Sequence, residues 1–534
     1  MHRLAKLDHA HVWHPFTQMR DWLKREPIVI TSGRGAVLRD VKGREYLDAN
    51  SSIWTNLHGH NHPKINGAIN RQLKKIAHSS ALGLANEPAG ELAERLVNLA
   101  NLPFSRSKVG KWESGKVGGR RILTFSLSHF PTFDSAANTP RLGKVFFSDD
   151  GSTAMEVALK LVYEYARRTG RSQRPKFLSL QGAYHGDTVG AVSLGHIDLF
   201  HKAWSGLLFK SDTVMAPYCY RCPFNRARPE RADAREYRKC HWECVGQVEQ
   251  RFAAQKKRGN PYAAMIVEPL MQGAAGMIPQ PPGWLRRVAE VVRGHGAQLI
   301  ADEVMTGFGR TGMAASGEGS EGVRERGGEK RAAPHSPTAP LLHSQALFAC
   351  HHEGVQPDFL VLAKGLTGGY LPMAATLTTQ AVFDAFLGEY DEFRTFFHGH
   401  SYTGNQLGAA AALATLDLLR TPASIRARRK LEQTLCDALK SLWLLPNVGD
   451  IRQVGLIVGV ELVKDWRTRR PFDVRERAGH RVCEAMAQRG VLTRPIGDVV
   501  VLMPPYCTTV AQTQRMIDVL RNAVLEVFAA GSVG

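Results

Sequence analysis

The sequence lacks the features of a membrane protein and of a disulfide-stapled secreted domain. No apolar run approaches the ~20 residues of a transmembrane helix. The start, MHRLAKLDHAHVWHPF, lacks the roughly 7–15-residue apolar region of a secretory signal. Cysteine is sparse, with 8 residues among 534, too few for a disulfide scaffold. We therefore expect a cytoplasmic protein without a membrane partner, or a mitochondrial one if the source is a eukaryote.

Charge is unbalanced, but it is not concentrated in one segment. The chain has 69 Lys and Arg against 49 Asp and Glu, a formal net charge of +20. These basic residues are spread along the chain, and no run of Lys and Arg is interleaved with aromatic residues, as a nucleic-acid-binding surface would require. The composition predicts a basic surface that favours anionic ligands, and no nucleic-acid partner.

Four of the cysteines lie in two close pairs, within PYCYRCPF and KCHWEC: Cys219, Cys222, Cys240 and Cys244. Two such pairs are one arrangement that binds structural zinc, which would favour a non-catalytic binding module. The second pair encloses three residues, His241 among them, and pair spacing alone often misleads. We favour a loop with reduced thiols and predict no metal, with zinc as the alternative.

Short apolar stretches alternate with helical patterns, which predicts an α/β fold with a mostly parallel sheet. Three stretches are typical of buried strands: AAMIVEP (263–269), AQLIADEV (297–304) and PDFLVLAKG (357–365). Each ends at or near charged residues, namely Glu268, Asp302 with Glu303, and Lys364. Because ligands bind beyond the carboxyl ends of strands in open α/β sheets, these charges indicate one shared site.

The chain divides into a large and a small domain with two insertions. VFFSDDGS predicts a strand and a tight turn, and apolar residues at helical spacing predict a helix over 151–168. We assign residues 1–70 and 415–534 to the small domain and 71–414 to the large one. Residues 105–140 and 314–345 have a disorder-like composition and interrupt the large domain as insertions.

Two motifs carry a resemblance to a known family. LIADEVMTGFGRTG (299–312) followed by LAKGLTGGYLP (362–372) resembles the class III aminotransferases, which have the fold type I of pyridoxal phosphate (PLP) enzymes. Five further segments resemble one branch of that family: HVWHPFTQM (11–19), SSIWTNLHGHNHP (51–63), AYHGDTVGAVSLG (183–195), FFHGHSYTGNQLG (396–408) and LTRPIGDV (492–499). The resemblance implies a large domain with a mostly parallel central sheet plus a smaller α+β domain.

The resemblance also implies which residues bind PLP. The cofactor-binding residues it assigns are Gly151, Ser152, Tyr184, Asp302, Lys364, His400 and Ser401. Lys364 is the expected catalytic residue, since a transaminase needs an amine that binds the cofactor covalently and moves protons. Asp302 would keep the pyridine nitrogen protonated, and Tyr184 would stack on the ring.

The phosphate is expected at the start of the helix over 151–168, where backbone N–H groups favour anions. Gly151 and Ser152 match the family there, although the same residues would also suit a simple helix cap. Asp150 departs from the family's common hydroxyl residue, so its carboxylate must cap the helix or point away. His400 and Ser401 match residues that complete the site of a neighbouring subunit, which implies a homodimer with shared active sites.

Several neighbouring residues are expected to support the cofactor rather than to bind it directly. Glu268 and Gln272 match groups near the cofactor's phenolic oxygen. Glu303 is interpreted as structural, and His185 as a support for its loop.

The branch that these segments resemble aminates 8-amino-7-oxononanoate to 7,8-diaminononanoate in biotin biosynthesis. The residues expected to bind substrates are Phe16, Ile53, Trp54, Tyr184, Arg310, Gly399 and Arg494. Arg494 would bind the distal carboxylate of the keto substrate, because a guanidinium matches a carboxylate bidentately.

The amino donor implied by the resemblance is S-adenosylmethionine, with lysine as the alternative. Phe16 stands where the adenosylmethionine-dependent members have tyrosine, and Ile53 replaces one of their paired tryptophans. Another ω-amino acid aminotransferase of the same class is the nearest alternative function.

Overall fold

The computed structural model describes residues 1–101, 111–117, 120–126, 139–312 and 346–529. Much of the predicted insertion at 105–140, and all of the one at 314–345, lies outside the described residues. Within the first of them, the backbone of 111–117 pairs antiparallel with that of 120–126.

The N-terminal segment contains a small antiparallel ribbon and several helices. Its helices are α1 (Arg3–His11), α2 (Met19–Trp22), α3 (Ser51–Trp54), α4 (Pro63–Lys75) and α5 (Glu87–Ala100). Its strands are β1 (Ile30–Arg34), β2 (Val37–Asp40) and β3 (Glu45–Asp48), followed by the insertion hairpin β4 (Lys111–Val117) and β5 (Arg120–Ser126). The short element α3 is a left-handed turn, because all four of its residues have positive φ.

A seven-stranded sheet forms the centre of the large domain, in the order β6-β14-β13-β12-β9-β7-β8. Its strands are β6 (Leu142–Ser148), β7 (Lys176–Leu180), β8 (Asp212–Val214), β9 (Tyr262–Val267), β12 (Gln298–Asp302), β13 (Phe359–Leu362) and β14 (Ala374–Thr379). A separate ribbon pairs β10 (Met271–Gln272) with β11 (Ile278–Pro279). Only β14 runs antiparallel to its neighbours in this sheet, so the predicted mostly parallel sheet is confirmed.

The large domain contains further helices, and several of them pack on this sheet and bury its apolar strands. They are α6 (Gly151–Arg168), α7 (Val189–Leu194), α8 (Asp198–His201), α9 (Ala234–Tyr237), α10 (Glu243–Lys257), α11 (Trp284–Gly294), α12 (Gln380–Asp384) and α13 (Gln406–Leu419). The helix predicted over 151–168 is confirmed, and its stripe from Met155 to Ala166 is buried against the strands. Strands β9 and β13 are buried along their whole length, as parallel strands covered on both faces require.

The small domain consists of a second sheet with three helices. The sheet has the order β15-β16-β19-β18, formed by β15 (Val448–Val454), β16 (Ile457–Leu462), β18 (Pro495–Ile496) and β19 (Val499–Leu502). Its helices are α14 (Pro422–Leu439), α15 (Ala478–Gln488) and α16 (Val510–Ala529). Strand β17 (Val491–Leu492) pairs with β3, and Leu47 and Ala49 pack in the same core as β15, β16 and β19. The boundary at residue 415 stays a prediction; this residue lies within α13.

Among the described helices, none is both long enough and apolar enough to cross a bilayer.

Candidate active site

A cavity of about 460 Å³ opens at the carboxyl ends of the central strands. The residues that follow β6, β9, β12 and β13 meet there. They bring a helix N-terminus, two carboxylates and an amine to one place, as the strand-end charges predicted. The predicted residues that line the cavity are Trp54, Gly151, Ser152, Tyr184, Glu268, Asp302 and Lys364.

Lys364 projects into this cavity from a strained backbone position two residues after the end of β13. Its φ of 43° is left-handed, which is unfavourable for a residue with a side chain. The amine lies 5.1 Å from the centroid of the Trp54 ring, and no described residue donates or accepts a hydrogen bond to it. Burial lowers the pKa of Lys364, against the raising effect of Asp302 and Glu268. A lowered pKa increases the fraction of neutral amine, the form that attacks a carbonyl carbon.

The glycines after Lys364 allow another segment to approach the lysine closely. Gly369 has a φ of 84°, and a Cβ there would lie 2.8 Å from the backbone nitrogen of Asn56. Only glycine permits both this backbone angle and this approach. The GLTGG segment thereby lets the turn that carries Trp54 pack against the Lys364 loop.

Asp302 ends β12 and is buried, with a histidine as its partner. Its Oδ2 lies 2.7 Å from Nδ1 of His185, and its Oδ1 accepts a hydrogen bond of 3.1 Å from the N–H of Val304. His185 is buried as well, and its Nε2 has no hydrogen-bond partner among the described residues. His185 therefore fixes the direction of the carboxylate, whereas the sequence analysis expected it to support its own loop.

Glu268 is a second buried carboxylate in the cavity. It accepts hydrogen bonds from the N–H groups of Tyr184 at 3.2 Å and Gly273 at 2.8 Å. Burial raises the pKa of Glu268 to about 7, opposed by His185. Gln272 is fully buried and donates to the carbonyl of Gln181 at 3.1 Å, while its Oε1 has no partner among the described residues.

Glu303, although adjacent to Asp302, is turned away from the cavity. Its two oxygens accept hydrogen bonds from the N–H groups of Ala349 at 2.6 Å and Cys350 at 2.8 Å. Burial raises the pKa of Glu303 to about 7. These contacts tie the end of β12 to the chain that precedes β13, which is the structural position expected of it.

The N-terminus of α6 forms another wall of the cavity. Asp150 caps this 18-residue helix, because its Oδ1 accepts from the N–H of Thr153 at 2.9 Å and the Thr153 hydroxyl accepts from its own N–H. The carboxylate that departs from the family pattern is thus a helix cap. Gly151 and Ser152 line the cavity beside it, and Oγ of Ser152 accepts from the N–H of Asp187 at 3.1 Å.

Tyr184 begins a row of aromatic rings that leads out of the cavity. Its hydroxyl donates to Oδ2 of Asp187 at 2.6 Å. The ring of Phe200 lies 6.2 Å from that of Tyr184 and 5.2 Å from that of Phe16. Arg494 is exposed, and its Nη2 donates to the carbonyl oxygen of Phe16 at 3.3 Å. The structure thereby joins two predicted substrate residues, Phe16 and Arg494, to Tyr184.

Seven of the predicted cofactor and substrate residues do not line the cavity in this chain: Phe16 and Arg494, at the outer end of the aromatic row, and Arg310, Ile53, Gly399, His400 and Ser401. Arg310 is buried, and it donates to the carbonyl oxygens of Pro504 and Asn56. Ile53 and Gly399 are exposed to solvent. Nδ1 of His400 lies 3.0 Å from Oδ2 of Asp149, and the carbonyl of Ser401 contacts Nε2 of His78 at 2.9 Å. The prediction assigned His400 and Ser401 to the site of a second subunit, so their roles stay predictions.

The sequence analysis missed Phe200 and Asp187. Phe200 belongs to no motif, and only the fold brings it to Phe16 and Tyr184. Asp187 lies inside the AYHGDT segment, three residues after Tyr184, so the motif could have indicated that it lies near the site. Tyr370 lines the cavity and lies within GLTGGYLP, so that motif could have indicated it as well.

The cysteine-rich segment contacts the small domain through a tyrosine and an arginine, and not through its thiols. Tyr218 and Arg221 both contact the Glu461 carboxylate, and Arg452 contacts Glu461 and the carbonyl of Gly276. Among the described residues, no group of three or more His, Cys, Asp or Glu is arranged to hold a metal ion. The loop is thus joined to β16 through Tyr218 and Arg221, while Arg452 of β15 joins Glu461 to the chain beside β11.

Comparisons with known proteins agree with this geometry. The family model for class-III aminotransferases matches residues 19–118, 126–319 and 343–524. An adenosylmethionine-8-amino-7-oxononanoate aminotransferase of Nitratidesulfovibrio vulgaris is 43% identical over the whole chain and 83% of its own length. The protein of the same name from Geobacter sulfurreducens is 41% identical, over 98% of this chain and 97% of its own.

Solved structures show the same fold. The crystal structure of the enzyme of that name from Methanocaldococcus jannaschii superposes with a TM-score of 0.77 at 35% identity, over 98% of both chains. An amine transaminase from an uncultivated Pseudomonas species superposes with a TM-score of 0.76 at 30% identity, over 96% of this chain and 98% of its own. The predicted fold type I architecture is confirmed. The chain belongs to the class-III aminotransferases, which are transaminases that use pyridoxal phosphate.

Proposed function

We propose that this transaminase aminates 8-amino-7-oxononanoate to 7,8-diaminononanoate in biotin biosynthesis, with S-adenosylmethionine as the donor. The observation that carries the proposal is the convergence of Lys364, Asp302 and the α6 N-terminus on one cavity, from which a row of aromatic rings leads to Arg494. The two bacterial relatives, at 43% and 41% identity, support it because their names specify this keto acid and this donor.

The residues of the cavity fit PLP on chemical grounds. Lys364 offers an amine without a hydrogen-bond partner among the described residues, and Asp302 offers a buried carboxylate for a protonated ring nitrogen. The first N–H groups of α6, at Gly151 and Ser152, offer donors to a phosphate. Tyr184 offers a ring face beside them. PLP, when bound, withdraws electrons from the carbon that loses its proton.

Lys364 is the residue that would move protons in both halves of the reaction, because it is the only lysine among the described residues that line the cavity. As a free base, its Nζ would take the proton from the donor carbon and pass it to the cofactor, and in the second half it would deliver a proton to the keto substrate's carbon. Asp302, held by His185, would supply the negative charge that keeps the cofactor's ring nitrogen protonated.

The assay that tests this function compares acceptors and donors on the wild-type enzyme. We expect faster amination of 8-amino-7-oxononanoate than of succinic semialdehyde, the keto partner of 4-aminobutyrate. S-adenosylmethionine is expected to support a higher kcat/KM than lysine. Preference for the semialdehyde would instead assign the chain to the other ω-amino acid aminotransferases.

Lysine is the second candidate donor, and one observation favours it. Phe16 offers no hydroxyl, and this residue is 57% exposed at the outer end of the aromatic row. The adenosylmethionine-dependent members have a tyrosine at this position. S-adenosylmethionine would therefore have one hydrogen-bonding partner fewer in this protein than in those members. A higher kcat/KM with lysine in the same assay would select this alternative.

Arg494 is proposed to bind the distal carboxylate of the keto substrate. We expect Arg494→Gln to raise the KM for 8-amino-7-oxononanoate by about 10–150-fold, the loss of a charge-assisted hydrogen bond of about 1.5–3 kcal/mol. The rate of the donor half-reaction should change much less, because the donor lacks that distal carboxylate. Arg475→Gln, at an exposed small-domain arginine, is the matched control. Equal losses in both half-reactions would contradict this role.

We also propose a homodimer in which His400 and Ser401 complete the partner's phosphate site. The segment around them exposes large apolar side chains, with Tyr390 96%, Phe393 69% and Phe397 75% accessible. Such a concentration of exposed aromatic rings is typical of a subunit interface.

Subunit mixing tests whether the sites are shared. Lys364→Ala and His400→Ala homodimers are both expected to be impaired. After the two variants are unfolded and refolded together, mixed dimers should regain activity, because one of their two sites contains both wild-type residues. A mixture no more active than its parents would contradict a shared site.

A further inference from the structure

The short turn that carries Trp54 has an unfavourable backbone conformation at every position. Its four residues, Ser51–Trp54, have φ values between 45° and 69°. Left-handed backbone brings the Cβ atom of an L-residue too close to the following carbonyl oxygen. Burial of apolar surface offsets this cost only in part, because Ile53 is 43% exposed. Contacts from outside the turn must therefore hold it, and strain of this kind concentrates at functional sites.

Asp48, the last residue of β3, holds the start of this turn through its buried carboxylate. Its Oδ1 accepts hydrogen bonds from the N–H groups of Asn50 and Ser52, both at 3.2 Å. Its Oδ2 accepts from the Ser52 hydroxyl at 3.1 Å and from Nε2 of His60 at 2.9 Å. Burial alone would raise the pKa of Asp48, but the hydrogen bonds from His60 and Ser52 lower it below its usual value. The carboxylate is therefore charged at neutral pH, and a charged acceptor strengthens these bonds.

A chain of hydrogen bonds determines which nitrogen of His60 carries the proton. Oδ1 of Asn56 accepts from the N–H of Gly59 at 2.8 Å, so its Nδ2 is the group that faces His60. This Nδ2 donates to Nδ1 of His60 at 2.9 Å, which leaves the proton on Nε2, toward Asp48. Every donor in the chain thereby meets an acceptor. Loss of the His60 ring would remove a donor to Asp48 and leave the Asn56 amide without its acceptor.

The turn places the Trp54 ring beside the Lys364 amine. The ring centroid lies 5.1 Å from Nζ of Lys364. On its other side the indole packs against an apolar cluster that contains Met271 and Met305. A displacement of the ring by about 1 Å would change the space in which Nζ moves, and misplacement of that size can lower a rate by about 100-fold.

We propose that Asp48 and His60 are positioning residues of the reaction, which hold the left-handed turn so that the Trp54 ring stays beside the Lys364 amine. Neither Asp48 nor His60 lines the cavity, so both act through Trp54. This inference rests on the proposed role of Lys364, and it applies with either candidate donor. Because Nζ moves protons in both half-reactions, both should depend on the turn.

The experiment measures the single-turnover rate constants of both half-reactions on the PLP-loaded enzyme. A loss of folded or loaded protein lowers the amplitude of the absorbance change and leaves the rate constants unchanged, so these report position and not stability. The variants are His60→Leu, which removes both hydrogen bonds, and His60→Gln, whose amide N–H can still donate to Asp48. His295→Leu is the matched control, because His295 pairs with Glu249 at 2.8 Å and its side chain is 15% exposed, against 16% for His60.

We expect His60→Leu to lower both rate constants by about 10-fold to 100-fold, as misplacement at a reacting group does. His60→Gln and His295→Leu should stay within about threefold of wild type. In a Trp54→Ala background, His60→Leu should have little further effect, because residues that act through one another are not additive. If His60→Leu does not fold, Ser52→Ala takes its place in these comparisons, because it removes a single hydrogen bond to Asp48 and should cause a smaller loss.

Wild-type rate constants in His60→Leu, or in Ser52→Ala where it takes that place, would overturn the inference. Equal losses with and without the Trp54 ring would overturn it as well, because they would show that His60 acts by another route. Failure of the proposed function is seen separately, as a wild-type enzyme that does not aminate 8-amino-7-oxononanoate. The same rate constants are then measured with the amine and keto acid that the enzyme does use.

Discussion

Replacement of Lys364 by alanine is expected to abolish transamination and the visible absorbance of the lysine-bound cofactor. Lys364 is the only lysine among the described residues that line the cavity. Its amine has no competing hydrogen bond there, and its pKa is lowered. Loss of proton transfer alone costs about 10²–10⁴-fold in kcat, and loss of the covalent attachment adds to that. The measurement is the rate of each half-reaction, together with an absorbance spectrum of the purified protein.

Two controls separate this effect from a general loss of structure. Lys74→Ala changes an exposed lysine of α4 and should keep both the absorbance and the rate. Addition of a small primary amine to Lys364→Ala should restore part of the proton transfer, since the cavity then has space for it. A variant that keeps the wild-type absorbance and rate would show that Lys364 is not the cofactor lysine.

The positions of the charged site residues could be predicted because they follow from the strands. Glu268, Asp302 and Lys364 each come after a short apolar stretch, and parallel strands place their carboxyl ends at one edge of a sheet. The capping role of Asp150 was predictable in the same local way, because a carboxylate before a helix start bonds the N–H three residues on. In both cases the sequence pattern spans only a few residues.

Contacts between distant parts of the chain could not be predicted in that way. The pairing of Phe16 with Phe200 depends on how the N-terminal segment lies across the large domain, and neither residue carries a periodic pattern. Arg310 stands in a motif near the site, yet its guanidinium binds the carbonyls of Asn56 and Pro504, which no local rule indicates. Side-chain direction at such positions is set by packing, and packing is a property of the assembled fold.

Asp302→Asn is expected to lower kcat by about 10²–10³-fold, the usual cost of removing one electrostatic stabiliser of a reacting group. The amide fits the same space, and its single oxygen can still accept from the N–H of Val304 while its NH2 group faces Nδ1 of His185, so the fold should be retained. The negative charge beside the ring nitrogen is lost. The kcat of both half-reactions should fall together, because both depend on the same electron withdrawal.

Glu303→Gln is the matched control, because it changes the adjacent buried carboxylate that faces away from the cavity. Its kcat at saturating substrate should stay within about threefold of wild type, a difference below 1 kcal/mol. Its effect should fall on stability and depend on pH. Burial raises the pKa of Glu303 from 4.5 to about 7, so the native state holds a proton that the unfolded state releases in that range. The contribution of Glu303 to wild-type stability therefore falls as pH rises from 4.5 to about 7, while glutamine does not titrate.

The thermal unfolding midpoint of Glu303→Gln, relative to wild type, should accordingly increase between about pH 5 and about pH 8. For Asp302→Asn the quantity to measure is kcat and not the thermal unfolding midpoint, because this variant is expected to lose catalytic rate. If Asp302→Asn kept the wild-type kcat while Glu303→Gln lost it, the two carboxylates would exchange roles. The ring nitrogen would then be held from the other side of β12, where Ala349 and Cys350 now bind the Glu303 oxygens.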